Sequence, residues 1–528
     1  MRKAATARPQ AKGTAARMTR RKLSAFLATT FLAVASVAVT AATAPARAAG
    51  HAATATASPA TAPEIQLIPA QTTVTAYSDG KSAFVDPGIW VASLGAPLQF
   101  NVSRASYTKP LTITQVLSGS VARPLPASLV DGWNGLKDFF NLTIVNAKGQ
   151  RVGNQTLTFC PDTYNPARAT DGGPLASPYP TSCGTFDPFP LGEVWGIAQD
   201  WAVDPTANGG AFFKIPVGTY KLTERITRVW AGLLGIAAKD ASVTVTVKVV
   251  KSSSGCCGPA GCCPPSVPAS FAGHGTRFRP AALKELPASV PTVDNPPASV
   301  LPDLVPLPSW GINVLDVGKG KQDLLNFGAT VWIGGNGPLD VEGFRHDASP
   351  VMPAYQYFFD STGQVVGKVP AGTMGFDSKK GHDHWHFQQF AEYKLLGAGK
   401  KVIVSSGKVG FCIAPTDQVD LTLPGAAWQP PTFGFGGQCG SPTALWVQES
   451  LPAGWGDTYL QTVAGQAFDI TNLKNGTYYI EIIANPEHVL HETNTSNDVS
   501  LRKIILSGTK GHRHVTVPAW NGIDPEKG

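Results

Sequence analysis

The chain has few charged residues, and outside its first 48 residues it has no excess of one sign. Only 15 % of its 528 residues are Asp, Glu, Lys or Arg, and the formal net charge is +7. Residues 1–48 hold nine Lys and Arg and no acid, which leaves 34 basic and 36 acidic side chains in the remainder. Nucleic-acid binding needs a basic surface. The composition therefore excludes nucleic acid as a partner.

Long apolar runs are also scarce. The run Leu23–Val39 follows Arg20-Arg21-Lys22 and precedes the Ala-x-Ala sequence at residues 46–48. This order is typical of a cleaved export signal, so we expect residues 1–48 to be removed from a secreted protein. The paired arginines also fit twin-arginine export, and the length of the run leaves an uncleaved anchor as an alternative. Because no second run of this length exists, we expect no membrane contact beyond the signal.

Histidine is missing from residues 64–251, whereas eight of the ten histidines follow residue 340. The histidine-free region alternates short apolar–polar runs with turn residues, and Val243, Val245, Val247 and Val249 keep a period of two. This pattern predicts antiparallel strands. The fold class we predict is therefore mainly β, beginning with a β-sandwich-like domain of unknown role.

The rest of the chain divides by composition. Residues 49–63 form an Ala/Thr/Pro tail that we expect to be disordered. Residues 252–300 are a linker rich in proline and cysteine. A second β-rich domain with long loops is predicted at residues 301–518, followed by a tail at residues 519–528.

Eight cysteines in an exported chain predict disulfides. Cys160 lies close to Cys183 in one loop-rich stretch, and Cys412 and Cys439 bracket another, so we predict these two pairs. The four cysteines of the linker form two doublets, for which local disulfides and a soft-thiolate site for Cu(I) or zinc are the alternatives. These four are Cys256, Cys257, Cys262 and Cys263.

Three histidines alternate within the second domain. Side chains on a strand repeat every two residues, so His382, His384 and His386 would face one side of a strand. Trp385 and Phe387 would face the other side and anchor the strand in the core. Converging imidazoles suit Cu(II) or Zn(II) rather than calcium or magnesium, but do not distinguish the first two.

The residues around these histidines resemble the lysyl oxidase family. Residues 381–395 resemble its copper segment, which reads His-x-His-x-His and continues Phe-x-x-Tyr-x-Leu. Residues 407–412 are similar to the family's Gly-x-Lys-x-x-Phe-Cys stretch, and residues 456–459 are similar to its Asp-x-Tyr stretch. Residues 301–305, Leu-Pro-Asp-Leu-Val, resemble the start of the family's catalytic domain. The resemblance covers about residues 298–515.

The resemblance implies a copper-dependent amine oxidase. It places Cu(II) on the three histidines and a self-derived lysine tyrosylquinone cofactor on Lys408 and Tyr459. It also implies that primary amines, peptidyl-lysine among them, react with O₂ to give aldehyde, ammonia and hydrogen peroxide. The general base stays open between Asp457 and Asp383. The Asn-Tyr-Asp/Glu tripeptide of other copper amine oxidases is absent.

A calcium site is a further candidate. In the family, a Glu-x-Asp-x-x-Asn-Asn run and an Asp-Leu pair bind calcium, which prefers oxygen ligands. The matching residues here are Asp303, Leu304, Glu492, Asn494, Asn497 and Asp498, with Asn in place of the family's Asp at 494 and Asp in place of its last Asn. The alternative is that the run only shapes a turn between two strands.

Two other functions compete with the oxidase interpretation. One is an extracellular copper storage or delivery protein, and the other is a β-sandwich adhesion module without catalysis. Neither function needs Lys408 or Tyr459, so these two residues discriminate. The chain also departs from animal members of the family, because its second domain has a single candidate disulfide and a shorter interval between His386 and Lys408.

Overall fold

The alternating patterns fold as strands, and the computed structural model is mainly β, as predicted. It describes residues 62–185, 187–206, 210–252, 257–258, 261–262, 290–318, 322–378, 384–408, 410–429, 439–461 and 467–527. The predicted export signal, nearly all of the predicted tail and most of the linker lie outside these residues. His382, Asp383, Cys256 and Cys263 lie outside them too.

Fifteen strands lie in the described residues of the histidine-free region. They are β1 Glu64–Pro69, β2 Thr73–Ser78, β3 Ala83–Val85, β4 Ile89–Leu94, β5 Leu98–Ser103, β6 Thr112–Leu117, β7 Val121–Leu125, β8 Leu136–Asn146, β9 Arg151–Phe159, β10 Ala167–Arg168, β11 Gly192–Ile197, β12 Trp201–Val203, β13 Ala211–Phe213, β14 Gly218–Ile226 and β15 Ser242–Lys251. Helix α1, Arg228–Leu234, precedes β15. Val245, Val247 and Val249 of β15 are at most 2 % exposed, so the period of two marks an inward face.

These strands form three sheets, with the orders β1-β4-β12-β10, β11-β5-β6-β7 and β13-β3-β2-β15-β14-β8-β9. The pairing of β2 with β15 is parallel, and the other pairings within these sheets are antiparallel. In the linker, β16 Cys257–Gly258 and β17 Gly261–Cys262 form a hairpin in which Cys257 lies opposite Cys262.

In the part of the chain after the linker that the structure describes there are sixteen strands. They are β18 Leu304–Pro306, β19 Trp310–Val317, β20 Gln322–Ile333, β21 Leu339–Phe344, β22 Val351–Phe359, β23 Val365–Asp377, β24 His384–Phe387, β25 Ala391–Gly397, β26 Val402–Ser405, β27 Asp417–Gln418, β28 Trp446–Leu451, β29 Trp455–Leu460, β30 Phe468–Asp469, β31 Gly476–Ala484, β32 Val499–Thr509 and β33 His512–Thr516. Their sheets have the orders β18-β20-β29-β27, β24-β23-β22-β21-β28 and β26-β25-β31-β32-β33, and β19 and β30 also pair with β20.

The main apolar core continues from the first group of strands into the second, and it includes residues of both. From residue 57 onward the chain forms one compact unit. No named strand pairing joins the two groups within the described residues, but backbone hydrogen bonds do connect them, such as Leu421 N to Gly192 O at 2.8 Å. The domain boundaries at 251 and 301 stay predictions.

The two predicted disulfides, Cys160–Cys183 and Cys412–Cys439, are both formed. The first closes a loop of the histidine-free region, and the second closes a loop beside the histidine strand β24. Within the described part of the chain, no helix has the length and apolar character that a membrane crossing requires.

Candidate active site

Strand β24 carries His384 and His386 and lies at the edge of a five-stranded sheet. It pairs with β23 in an antiparallel register that sets His386 opposite Gly375 and His384 opposite Asp377. Trp385 and Phe387 are fully buried, as predicted from the alternation. The two imidazoles therefore lie on the opposite face of the sheet from the core.

The rings of His384 and His386 converge. Their Nε2 atoms are 2.9 Å apart, and the ring centroids are 4.6 Å apart in an edge-on arrangement. Two nitrogens that bind one ion at about 2.0 Å and at right angles would lie about 2.8 Å apart. The Nδ1 atom of His386 lies 3.9 Å from Asp377 Oδ2, on the side where histidine ligands often meet a carboxylate.

The third predicted ligand, His382, and the candidate base Asp383 lie outside the described residues. Among the residues that are described, no group of three or more His, Cys, Asp and Glu side chains is closed around a point as in a finished metal site. The geometry thus provides two of the three imidazoles that the sequence predicts.

The segment that carries Lys408 packs directly against the histidine strand. Phe387 N donates to Phe411 O at 2.8 Å, and Phe411 N donates to Phe387 O at 2.9 Å. A Cβ atom on Gly410 would lie 2.8 Å from His386 Cβ, so this approach requires glycine. The disulfide at Cys412 ends on Cys439, whose carbonyl accepts from the N–H of Trp385 in the histidine strand at 2.9 Å.

Lys408 lies against the ring of Tyr459. Its Nζ atom is 4.4 Å from the centroid of that ring and 4.7 Å from the centroid of Phe411, and it donates to Gly410 O at 2.7 Å. Lys408 is 7 % exposed, which is rare for lysine. The Tyr459 hydroxyl donates to Cys412 O at 2.6 Å. The amine and the aromatic ring that the sequence paired are therefore in contact.

Two buried carboxyl groups flank this contact. Burial raises the pKa of Asp457 well above its usual range, against the opposing effects of the Tyr459 hydroxyl and the Lys408 ammonium. Asp457 Oδ2 is buried without a hydrogen-bond partner among the described residues. Burial, reinforced by Asp457, likewise raises the pKa of Glu449, which accepts from Ile413 N at 3.0 Å.

The same surroundings act on the phenol. Burial, then the charges of Asp457 and Glu449, raise the pKa of Tyr459 well above 10. The unmodified phenol is therefore protonated at neutral pH and keeps its hydrogen bond to Cys412 O. Lysine, tyrosine and carboxyl groups meet here in one mostly buried cluster, beside the strand that carries His384 and His386.

The family model described as lysyl oxidase matches residues 366–515, which contain His384, His386, Lys408 and Tyr459. This segment resembles the lysyl oxidases. Protein-lysine 6-oxidase from Sus scrofa is 28 % identical over 131 residues, which are 24 % of this chain and 45 % of that protein. The protein of the same name from Bos taurus is 28 % identical over 131 residues, 27 % of its length. Lysyl oxidase homolog 3B from Danio rerio is 25 % identical over 118 residues, 22 % of this chain and 13 % of that protein.

The chain thus spans less than half the length of these relatives. The family match begins downstream of the motif resemblance, which starts at about residue 298. Residues 64–251 and Asp303 lie outside the match.

Sequence reasoning missed several residues of the lysyl oxidase-like site. Glu449 was not predicted, and Tyr393 and Gly410 were given no role although they lie in the quoted motifs; all three contact or electrostatically influence the predicted residues. The sequence pattern could have indicated Glu449. This residue occupies an inward position of β28, between the buried Val447 and Leu451, and an acid at such a position must be buried.

The candidate calcium residues also meet in space. Asn497 Nδ2 donates to Asp303 Oδ2 at 3.1 Å, and Leu304 N donates to Glu492 Oε2 at 3.0 Å. Burial, together with the charges of Asp498 and Asp303, raises the pKa of Glu492 to about 7. The three carboxyl groups therefore interact electrostatically, although they do not close around one point.

Four of the side-chain oxygen atoms in this cluster have no hydrogen-bond partner among the described residues. They are Oδ1 of Asp303, Oδ1 of Asn497 and both carboxylate oxygens of Asp498. Asn494 differs, because its Oδ1 accepts from the N–H and the hydroxyl of Ser496 and so shapes the turn. The sequence left open a calcium site or a simple turn. The cluster has features of both, because it contains oxygens without partners and an Asn494 that shapes a turn.

Proposed function

We propose that this protein is a secreted copper-dependent amine oxidase of the lysyl oxidase type. It converts a primary amine, such as peptidyl-lysine, to an aldehyde. One amine, one O₂ and one water give one aldehyde, one ammonia and one hydrogen peroxide, which balances atoms and electrons. The observation that carries the proposal is the contact of Lys408 Nζ with the Tyr459 ring, 4.4 Å from its centroid, next to the histidine strand.

The donor set fits copper. Neutral imidazoles suit Cu(II), and the 2.9 Å between the Nε2 atoms of His384 and His386 suits two ligands of one ion. His382, His384 and His386 would hold the ion. Bound copper would let O₂ oxidise the Tyr459 ring to a quinone that joins Lys408 and accepts electrons from the amine.

The residues of the chain supply position and proton transfer. Because Lys408 is buried, its amine meets the rings of Tyr459 and Phe411 rather than solvent. Asp457 stands two residues before Tyr459 on the same face of β29, and its Oδ2 has no hydrogen-bond partner among the described residues. We assign it the role of the base that removes the proton from the carbon bearing the amine. Phe411 packs edge-on against the Tyr459 ring, with the two centroids 5.1 Å apart.

The decisive experiment is metal loading in air. The purified full-length protein is loaded with Cu(II) or, as a matched control, with Zn(II), which binds imidazole but has no redox chemistry. After digestion, mass spectrometry is used to look for the Lys408 and Tyr459 peptides as one joined species.

We expect the joined species and a quinone absorbance with copper alone, and peroxide on addition of a primary amine. Separate peptides and no peroxide after copper binding would contradict the oxidase and leave a copper storage or delivery protein.

We also propose a calcium ion at the carboxyl cluster of Asp303, Glu492 and Asp498. The support is the set of buried oxygens without partners, since a divalent cation would offset their mutual repulsion. Calcium at about 100 times its Kd should raise the free energy of unfolding by about 2.7 kcal/mol. Thermal melts with CaCl₂, MgCl₂ or chelator measure this, and equal melting temperatures for the parent in CaCl₂ and in chelator would refute the site. Asp498→Asn should abolish the shift.

A further inference from the structure

A segment of the histidine-free region lies against the strands that carry the candidate active site. This docking segment consists of Thr185 and residues 187–192. Its last residue, Gly192, begins β11 and forms a parallel bridge with Asp420. Gly192 N donates to Val419 O at 3.1 Å, and Gly192 O accepts from Leu421 N at 2.8 Å. Val419 directly follows β27, which pairs with β29.

The approach at Gly192 depends on the missing side chain. A Cβ atom there would lie 2.3 Å from Asp420 Oδ1 and 2.5 Å from Thr422 Oγ1. Both distances are far below van der Waals contact, so a larger residue would force Asp420, Thr422 or the docking segment itself to shift. The backbone thus fixes the two regions at close range.

Side chains continue the contact to β27. The Thr185 hydroxyl donates to Asp417 Oδ1 at 2.6 Å, and Asp187 N donates to the same oxygen at 3.0 Å. Asp417 is 2 % exposed and lies opposite Gly456 of β29. Phe189 adds apolar contact, because it packs in a small cluster with Leu307, Trp332 and Val419.

A second chain of hydrogen bonds reaches β29 itself. Asp187 is 1 % exposed, and its Oδ2 accepts from the Thr330 hydroxyl at 2.5 Å. The Thr330 and Thr458 hydroxyls are 2.7 Å apart, and the two residues are paired across β20 and β29. Thr458 lies between Asp457 and Tyr459 in sequence. Successive side chains of a strand point to opposite faces. These hydrogen bonds therefore hold β29 from the face opposite to the one that carries Asp457 and Tyr459.

We propose that the docking segment is a positioning element of the active site, with Asp187 as its positioning residue. Through Thr330 and Thr458 it fixes the strand that presents Tyr459 to Lys408. The role rests on the proposed function, and it gives residues 64–251 a part in forming the cofactor. A carrier or adhesion module would need no such buried contact.

The test compares matched variants of the full-length protein. Thr458→Val removes the hydroxyl and keeps the shape, whereas Thr458→Ser keeps the hydroxyl. Asp187→Asn changes the buried acid, and Asp171→Asn makes the same change at an exposed site of the same region. Two quantities are measured: the fraction of chains with Lys408 joined to Tyr459 after copper loading, and hydrogen exchange of the 456–460 amides before loading.

For Thr458→Val and Asp187→Asn we expect the joined fraction per unit time to fall at least about tenfold, because small displacements of reacting groups have large effects on rate. We expect exchange at 456–460 to quicken about tenfold in these two variants. Thr458→Ser and Asp171→Asn should match the parent. Cross-linking at the parent rate in Thr458→Val and Asp187→Asn would overturn the inference.

Hydrogen exchange of the 456–460 amides distinguishes a failure of the oxidase proposal from a failure of the positioning role. If the parent forms no cross-link at all, the oxidase proposal fails, and the exchange rates alone then decide whether the docking segment fixes β29. Unchanged exchange in both Thr458→Val and Asp187→Asn would overturn the positioning role.

Discussion

The two regions of the molecule each bury an acid with a raised pKa, but the surroundings of the two acids differ. Glu224 of the histidine-free region is fully buried, and burial with the charges of Asp204 and Asp86 raises its pKa to about 8. Its two side-chain oxygens have no hydrogen-bond partner among the described residues. Asp457 is also buried and burial also raises its pKa, yet it has the Tyr459 hydroxyl and the Lys408 ammonium as neighbours.

The difference shows what marks a reactive site. A perturbed acid by itself only reports burial, since desolvation is the largest cause for both residues. Complementary groups around the acid are what allow chemistry, namely the amine of Lys408 and the aromatic ring of Tyr459. By this criterion the site belongs to the second region, and the first region contributes through contact.

The largest expected difference in amine oxidation is between two variants that each lose one tyrosine hydroxyl, one in each region. Tyr459→Phe removes the oxygen that quinone formation requires, so we expect amine oxidation to fall at least about a thousandfold. Tyr220→Phe loses a comparable bond, a hydroxyl donating to Pro216 O at 2.8 Å, and should keep activity within about twofold. Peroxide release from a primary amine is the measurement. Comparable losses in the two variants would show that the assay reports stability and not chemistry.

A smaller effect is expected from exchanging one buried acid in each region for its amide. Asp457→Asn cannot accept a proton, so kcat should fall by about a hundredfold or more, with KM less affected. The expected signature is a larger isotope effect with an amine deuterated on its α-carbon. Asp162→Asn, at a buried acid that accepts from Gly196 N at 2.8 Å, should alter the melting temperature and leave that isotope effect unchanged. Full activity in Asp457→Asn would assign the base elsewhere.

The smallest effect concerns pH and stability. The pKa of Glu224 is raised in the folded state, so the stability linked to its protonation is complete at acid pH and is lost as pH rises through about 8. Glu224→Gln mimics the protonated form. Between pH 6 and pH 9 the free energy of unfolding of the parent should fall by about 2 kcal/mol more than that of the variant. Urea unfolding at the two pH values measures this, and parallel pH profiles would mean that Glu224 is charged and paired when folded.

Local pattern was enough to predict much of the fold. The alternation at Val245, Val247 and Val249 predicted the inward face of a strand. The alternation around Trp385 predicted a strand with His384 and His386 on the face opposite to Trp385. The β class and both disulfides followed from composition and spacing in the same way. These features depend on residues close in sequence, which is why the sequence reveals them.

Contacts between distant residues were beyond this reasoning. Glu449 influences Asp457 because β28 and β29 fold together, and no local pattern states that. The hydrogen bond from Thr330 to Asp187 joins residues 143 positions apart. The family resemblance supplied the order of Lys408 and Tyr459 along the chain, but their proximity in space came from the structure.

The pairing of β29 with β20 has a consequence for dividing the chain. The segment that matches the lysyl oxidase family starts at residue 366, whereas β20, Gln322–Ile333, ends before it. A fragment cut to the matched residues would expose the backbone edge of β29 along its whole pairing with β20, and an open edge invites aggregation. The limits of sequence similarity are therefore not those of a unit that can be expressed or transplanted alone. Any such unit has to begin upstream of residue 322, and the contacts at Gly192 extend it further still.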